Sequence, residues 1–242
     1  MQVRDLGIGV TCGLVVLKAA FSSAGAVEAA APYPAMAPLA QYLMVNADEI
    51  AMAMSAGPSS ISAHAEILTL GREGYKMAIK GNNGFVCLVE RSWAAGFADA
   101  EFWNPKFRAP TCYNRAAARS VLPRYFEKTG WVLAGVSMSD MIARTRAELS
   151  TNRFMLPETG AMEYMLSKQM HLHDADGHWH PHVMFDLANT EAVAWGANLA
   201  GSPIFADDTT IFGQKSGAEP VIRFFVLVPK WSDGTPATME GH

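Results

Sequence analysis

The fold class is decided by residues 65–90, AEILTLGREGYKMAIKGNNGFVCLVE. This segment contains three apolar stretches of strand length: AEILTLG, YKMAIKG and the stretch from Phe85 to Arg91. Asn83-Gly84 predicts a hairpin turn before the third stretch, because both residues accept the positive φ values of a two-residue turn. The segment therefore predicts strands joined in adjacent hairpins.

Helices are expected before and between the strands, because good helix formers there are bounded by caps and breakers. The sequence predicts them from Pro38 to Ser55, from Asn114 with a break or restart at Pro123, and over residues 137–150 with Ser137 or Ser139 as the N-cap. Later strands are predicted over residues 161–173, 178–187 and 221–228.

This order predicts a single α+β domain over residues 30–242, with a mainly antiparallel sheet built from hairpins and three to five helices. An imperfect all-β barrel is the alternative. The C-terminal stretch from Lys230 is expected to be frayed.

Composition excludes some classes of function. Half of the residues are hydrophobic and only 17% are charged. This composition provides enough apolar side chains for a substantial core. The net charge is −4 and there is no Lys/Arg cluster with interleaved aromatic residues, so nucleic acid is not an expected partner.

The first 29 residues are predicted to be a cleaved signal peptide. Arg4 precedes the apolar stretch LGIGVTCGLVVL, and two signal-peptidase sites follow it: Ala24 with Ala26, and Val27 with Ala29, which would place cleavage after residue 29. The apolar stretch is shorter than the roughly 20 residues of a membrane anchor. We therefore expect an exported protein, periplasmic or extracellular, with no membrane span in the mature chain.

Two cysteines follow this leader, Cys87 and Cys112. An even number of cysteines in an oxidising compartment predicts one disulfide. Closing the loop of roughly 25 residues between Cys87 and Cys112 would stabilise the fold by about 3 kcal/mol. Two buried free thiols are the alternative.

The main functional lead is the segment MHLHDADGHWHPHVMFDL, residues 170–187, which holds five of the seven histidines. If residues 174–177 form a four-residue hairpin loop, His173 faces His178, His171 faces His180, and Gln169 faces His182. Because side chains alternate along a strand, one face would then carry His171, His173, His178, His180, His182, Met184 and Asp186. The other face would be core: Leu166, Met170, Leu172, Trp179, Val183 and Phe185.

Several imidazoles on one ribbon predict a transition-metal site, with zinc or copper as the metal. Met184 would favour copper, because a thioether is a soft ligand. The alternative is a polar surface, and Pro181 suggests an edge strand or a bulge that would scatter the histidines over both faces.

Other candidates are weaker. Glu90 and Arg91 could enter a site, although a strand-end ion pair is the simpler interpretation. His64 could be a distant ligand or a surface residue. An aromatic loop could cover a pocket or form its own packing core; its residues are Phe97, Phe102, Trp103 and Phe107.

Several segments resemble a group of uncharacterised exported bacterial proteins. They are PAMAPLAQYLM, ILTLGREGYKMAIKGNNGFVCLVERSW, EFWNPKFRAPTCYNRAAARSVLP, GHWHPHVMF and KWSDGTPA, which span residues 32–237. The resemblance implies export and a shared fold, and it implies no activity.

Two functions follow from the sequence. The first is an exported metal-binding protein, such as a metal-dependent hydrolase or oxidoreductase, centred on the histidines. The second is a non-enzymatic exported protein that binds a small molecule or a protein partner through the aromatic loop or an open sheet face.

Overall fold

The computed structural model describes residues 32–175, 179–188, 192–206 and 221–237, which belong to one compact unit. Its strands are β1 Glu66–Gly71, β2 Gly74–Ile79, β3 Val86–Glu90, β4 Ala109–Tyr113, β5 Met162–Met165, β6 His182–Ala188, β7 Ile204–Ala206 and β8 Val221–Leu227. Its α-helices are α1 Asn46–Met54, α2 Ser59–Ser62, α3 Arg115–Ser120, α4 Leu122–Leu133 and α5 Met138–Ser150. The predicted leader, residues 1–29, lies outside the described residues.

The eight strands form one sheet in the order β2-β1-β3-β4-β5-β6-β8-β7. The β1–β3 pair is parallel, and the other neighbouring pairs are antiparallel. The α+β class with a mainly antiparallel sheet is therefore confirmed.

The hairpin predicted at Asn83-Gly84 is wrong, because β3 pairs with β1 rather than with β2. The connecting loop crosses the start of β1 at Gly81, where an added Cβ would lie 2.1 Å from the Glu66 backbone nitrogen. Asn83 stabilises this loop: its side chain donates to the Ile61 carbonyl and accepts from the Phe85 N–H. The turn-forming residues thus build a crossover rather than a hairpin.

The predicted first helix begins later than expected, at Asn46. Residues 39–41 form a 3₁₀ turn instead, and the Tyr42 carbonyl beyond it accepts a hydrogen bond from Arg91 Nε. The other helix predictions are confirmed: Asn114 caps α3, α4 begins at Leu122 with Pro123 in its first turn, and Ser137 caps α5.

Helices cover both faces of the sheet. Cys87 and Cys112 point to the α1 face, where they pack with Ala53 and other apolar residues near α1. Their neighbours along the strands, such as Leu88, point to the α4 face and pack with residues of α3, α4 and α5. Within the described part of the chain, no helix has both the length and the apolar character that crossing a bilayer requires.

The disulfide is formed. Cys87 and Cys112 are directly opposite each other on β3 and β4, and both are fully buried. The cross-link joins two neighbouring interior strands of the sheet beneath α1, which confirms the predicted pairing.

The C-terminal stretch is ordered further than expected. Lys230 pairs with Pro236, and the Ser232 N–H donates to the Leu166 carbonyl. Lys168 Nζ lies 2.8 Å from Asp233 Oδ2, so this turn is attached to the segment after β5. The prediction of fraying from Lys230 is therefore wrong as far as Ala237; the residues beyond lie outside the described ranges.

Candidate functional site

A row of ionisable side chains crosses the α4 face of the sheet, one from each of five neighbouring strands. Strand register places them together, since Tyr113 pairs with Glu163 and Asp186 pairs with Arg223. From β3 to β8, the members of this acid–arginine row are Glu90, Tyr113, Glu163, Asp186 and Arg223. The first four are at most 4% exposed, which is unusual for carboxyl groups.

Arg223 binds two of the three carboxyl groups in the row. Its Nε lies 3.0 Å from Asp186 Oδ1, and its Nη2 lies 3.4 Å from Glu163 Oε1. Burial opposes the charge of Arg223, but the neighbouring carboxylates outweigh burial and raise the pKa of Arg223 well above its usual value. Burial, with the nearby charges of Asp186 and Glu90, raises the pKa of Glu163 well above the normal range despite Arg223.

Glu90 is the third carboxyl group of the row. Its Oε1 accepts a hydrogen bond of 2.5 Å from the Tyr113 hydroxyl, and its Oε2 accepts one of 3.1 Å from the Thr111 hydroxyl. Burial raises the pKa of Glu90, although Arg223 and the two hydroxyl donors act in the opposite direction. Glu90 and Glu163 therefore retain their protons to a higher pH than isolated glutamate side chains would.

The row borders a small cleft of about 50 Å³ between the sheet and α4. That is room for a few water molecules or one small chemical group. The residues that line the cleft are Glu90, Ala94, Tyr113, Val121, Arg124, Tyr125, Lys128 and Arg223. They include three cations and one carboxyl group.

The cations of α4 are delivered by helical spacing. Arg124 and Lys128 are four residues apart and so lie on one side of the helix. They are 7% and 9% exposed, so each charge is largely removed from water. Lys128 Nζ also lies 4.6 Å from the centroid of the Phe97 ring.

Hydrogen bonds also hold Tyr125, another residue that lines the cleft, in place. The Tyr125 hydroxyl accepts from the Arg91 N–H and lies 2.9 Å from the Tyr75 hydroxyl. Phe102 and Phe107 are 1% and 8% exposed, so these residues of the aromatic loop form packing core rather than a mobile cover. Among the lining residues of the cleft, Tyr125 is held by its hydrogen bonds, and Arg124 and Lys128 are buried.

The histidine segment differs from the predicted ribbon. β5 ends at Met165, and β6 pairs Met165 with His182, whereas the predicted hairpin paired Gln169 with His182. His171 forms an isolated bridge with Arg108 instead. The predicted register is therefore wrong by four residues, and residues 176–178, including His178, lie outside the described ranges.

The predicted core and solvent faces of β6 are reversed. His182, Met184 and Asp186 do share a face, but each is 1% exposed, whereas Phe185 on the other face is 38% exposed. His182 packs against the rings of Trp179 and Phe225. Its Nδ1 lies 2.7 Å from the His180 carbonyl oxygen, and burial lowers the pKa of His182 to about 4.

The two earlier histidines lie at the surface beside carboxylates. His171 Nε2 is 3.0 Å from Asp174 Oδ1, and His173 Nε2 is 3.6 Å from Glu101 Oε1. Asp174 also accepts hydrogen bonds from Tyr33, Lys106 and Asn104. The Tyr33 hydroxyl first, then His171 and Lys106, holds the pKa of Asp174 below its usual range.

Among the described histidines of the predicted ribbon, the structure separates His171 and His173 from His182. His171 and His173 belong to the surface cluster around Asp174, whereas His182 is in the core. Across the described ranges, no three side chains of the types His, Cys, Asp and Glu are arranged to hold a metal ion. Zinc or copper binding stays a prediction.

The strand-end ion pair predicted for Glu90 and Arg91 is wrong. The Arg91 side chain is fully buried and its Nη2 lies 2.8 Å from Glu49 Oε1 of α1. Glu90 belongs instead to the acid–arginine row, because consecutive residues of a strand point to opposite faces. His64 is exposed, in agreement with the surface interpretation.

Sequence reasoning missed most of the acid–arginine row. Its signal is a single charged residue inside an apolar strand, as in MEYM for Glu163 and VIRFFVL for Arg223. Buried polar residues are more informative than apolar ones, since burial of a charge is costly unless it is paired. No single strand reveals the row, because its members come from five strands.

Comparisons with known proteins add no family. No protein-family model matches the chain, and neither the curated proteins nor the solved structures give a match.

Proposed function

We propose that this chain is an exported binding protein for a small molecule that carries an anionic group. The observation that supports it is the cleft beside α4, whose described lining includes the cations Arg124, Lys128 and Arg223 together with the carboxyl group of Glu90. Ligand sites are concave and equipped with a few converging polar groups, and this cleft has those features on a small scale.

Charge favours an anion over other ligands. Arg124, Lys128 and Arg223 are positively charged, and Glu90 is the one carboxyl group among the described residues that line the cleft. Guanidinium groups match the planar or tetrahedral oxygens of carboxylates and phosphates. The volume of about 50 Å³ limits the buried part of the ligand to one such group.

Export is part of the proposal and is supported by the disulfide. Cys87 and Cys112 are cross-linked, and disulfides persist mainly in oxidising compartments. The predicted leader over residues 1–29 points to the same destination. Secretion of the full chain with the leader intact or deleted, followed by N-terminal sequencing, tests this part.

Calorimetric titration with inorganic phosphate and with acetate tests the binding. We expect saturable binding of at least one anion by wild type, and a loss of roughly tenfold in affinity for Lys128→Gln, because one charge-assisted hydrogen bond is removed. Arg146→Gln is the matched control, since Arg146 is an exposed residue of α5. Equal affinities for the two variants, or no binding by wild type, would refute the proposal.

A transition-metal site is a second, narrower proposal. It is supported by His171 and His173, whose side chains are 32% and 53% exposed and lie beside the carboxylates of Asp174 and Glu101. Imidazole and carboxylate together are ligands for Zn²⁺. His182 has no part in it, because its ring is enclosed by core residues.

A further inference from the structure

We propose that the cleft selects an oxyanion that still carries a proton, such as hydrogen phosphate, and that Glu90 accepts a hydrogen bond from the O–H group of that ligand. The inference rests on the proposed anion binding and assigns Glu90 as its specificity-determining residue. The ligand class is a small oxyanion with a remaining O–H, as distinct from a fully deprotonated one such as sulfate.

Glu90 lies in the cleft among cations rather than apart from them. It lines the cleft together with Arg223 of β8 and with Arg124 and Lys128 of α4. An incoming anion therefore contacts the three cations and one carboxyl group at the same time. Like charges at contact are unfavourable, so a proton has to lie between the ligand and Glu90.

Glu90 has capacity for that hydrogen bond. An ionised carboxyl group has about four acceptor positions, and Glu90 uses one on each oxygen, toward Tyr113 and Thr111. Both hydroxyls donate to Glu90, which fixes the carboxyl group in place. A ligand O–H can therefore bind a carboxylate that is already oriented.

The other groups near Glu90 do not replace it in this role. Glu163 of β5 and Asp186 of β6 bind Arg223, and Tyr75 of β2 and Tyr125 of α4 bond to each other. Only Glu90, among the carboxyl groups of the row, lines the described cleft. Discrimination by ligand protonation therefore depends on one side chain.

Phosphate and sulfate differ in where the proton comes from. Hydrogen phosphate brings its own proton at pH 8, whereas sulfate has none and requires that Glu90 take one from solvent. A site built to accept a hydrogen bond rejects an analogue that cannot donate it, because the buried acceptor is left unpaired. We expect phosphate to bind on the order of a hundredfold more tightly than sulfate at pH 8.

Calorimetry on the full mature chain tests this directly. Phosphate and sulfate are titrated at pH 6 and pH 8, each in two buffers of different ionisation enthalpy, so that proton uptake is measured on wild type itself. We expect phosphate to bind at pH 8 without net proton uptake, and sulfate to bind weakly with uptake of one proton and about tenfold less affinity per pH unit.

Glu90→Gln should reduce the preference for phosphate to below tenfold, because an amide can donate to sulfate. Glu127→Gln, at an exposed position of α4, is the matched control and should keep the wild-type preference. Equal binding of both anions by wild type at pH 8 would overturn the inference while leaving anion binding intact. Binding of neither anion by wild type or Glu90→Gln would overturn the proposed function as well.

Discussion

The acid–arginine row and the histidine segment show two ways in which polar residues cluster. The histidines are close in sequence, yet the structure separates them: His171 and His173 are at the surface and His182 is in the core. Members of the row, such as Glu90 and Arg223, are far apart in sequence, yet neighbouring strands align them. Residues that are close in sequence therefore do not mark the candidate site in this chain. Its side chains come together because neighbouring strands pair in a fixed register.

The two regions also differ in what holds their charges. The carboxylate of Asp174 in the surface cluster is 34% exposed, so water screens its partners. Glu163 and Asp186 are at most 1% exposed and depend on Arg223 for compensation. Removal of one charge should therefore have a large effect in the row and a small one in the surface cluster.

The largest expected effect is that of Arg223→Gln. It leaves Asp186 and Glu163 buried without their cation, and loss of one partner of a buried ion pair costs about 3–5 kcal/mol. Urea unfolding at pH 8 measures the change. Lys106→Gln, which removes a surface partner of Asp174, is the control and should have a much smaller effect, because solvent screens this exposed pair. Similar losses for the two variants would mean that the regions do not differ.

The second effect is acid destabilisation through His182. The pKa of His182 is lowered from 6.5 to about 4, so between these values the unfolded chain binds more protons than the folded one. The free energy of unfolding should then fall by about 3 kcal/mol as the pH drops from 6.5 to 4. Denaturant unfolding across this range should show the fall in wild type, and His182→Leu should flatten it. An unchanged slope in that variant would assign the acid sensitivity elsewhere.

The row should contribute a pH dependence of opposite sign. The pKa of Glu163 is raised, so above 4.5 the folded chain retains a proton that the unfolded chain has released. The free energy of unfolding therefore decreases as the pH rises from 4.5 through the raised pKa. Glu163→Gln should reduce this decrease, measured by the same unfolding series, whereas Glu127→Gln should not. A steeper decrease in Glu163→Gln would contradict the sign.

The smallest effect concerns metal at the surface cluster. Zn²⁺ should raise the melting temperature at pH 7.5 and much less at pH 5, because protons compete for imidazole. His171→Ala with His173→Ala should abolish the rise, and His182→Leu should leave it unchanged. If His182→Leu alone abolished the rise in melting temperature, His182 would be a metal ligand, as the predicted hairpin requires. That result would contradict the strand register described above.

Local signals in the sequence predicted the local structure. Asn114 and Ser137 cap helices as expected, and Pro123 begins one, because capping depends on residues within one turn. The disulfide was predictable from the count of cysteines. The pairing of strands was not predictable in this way. Asn83-Gly84 suits a hairpin and a crossover loop equally well, and the strand with which β3 pairs decides between them.

The site was harder to predict for the same reason. Alternation correctly placed His182, Met184 and Asp186 on one face, but the pattern does not say which face of a strand is covered. The aromatic rings of Trp179 and Phe225 pack against His182, and Phe225 comes from a different strand, β8. The cleft exists because α4 packs over the acid–arginine row, and the sequence patterns of the strands do not predict where a helix will pack.

A crystal structure of the mature chain with phosphate tests the central claim most directly. The account predicts a phosphate ion in the cleft between the sheet and α4, within hydrogen-bond distance of Arg223 and Lys128 and with one oxygen facing Glu90. An ion bound only at the surface histidines, or a cleft that holds only water at saturating phosphate, would contradict it.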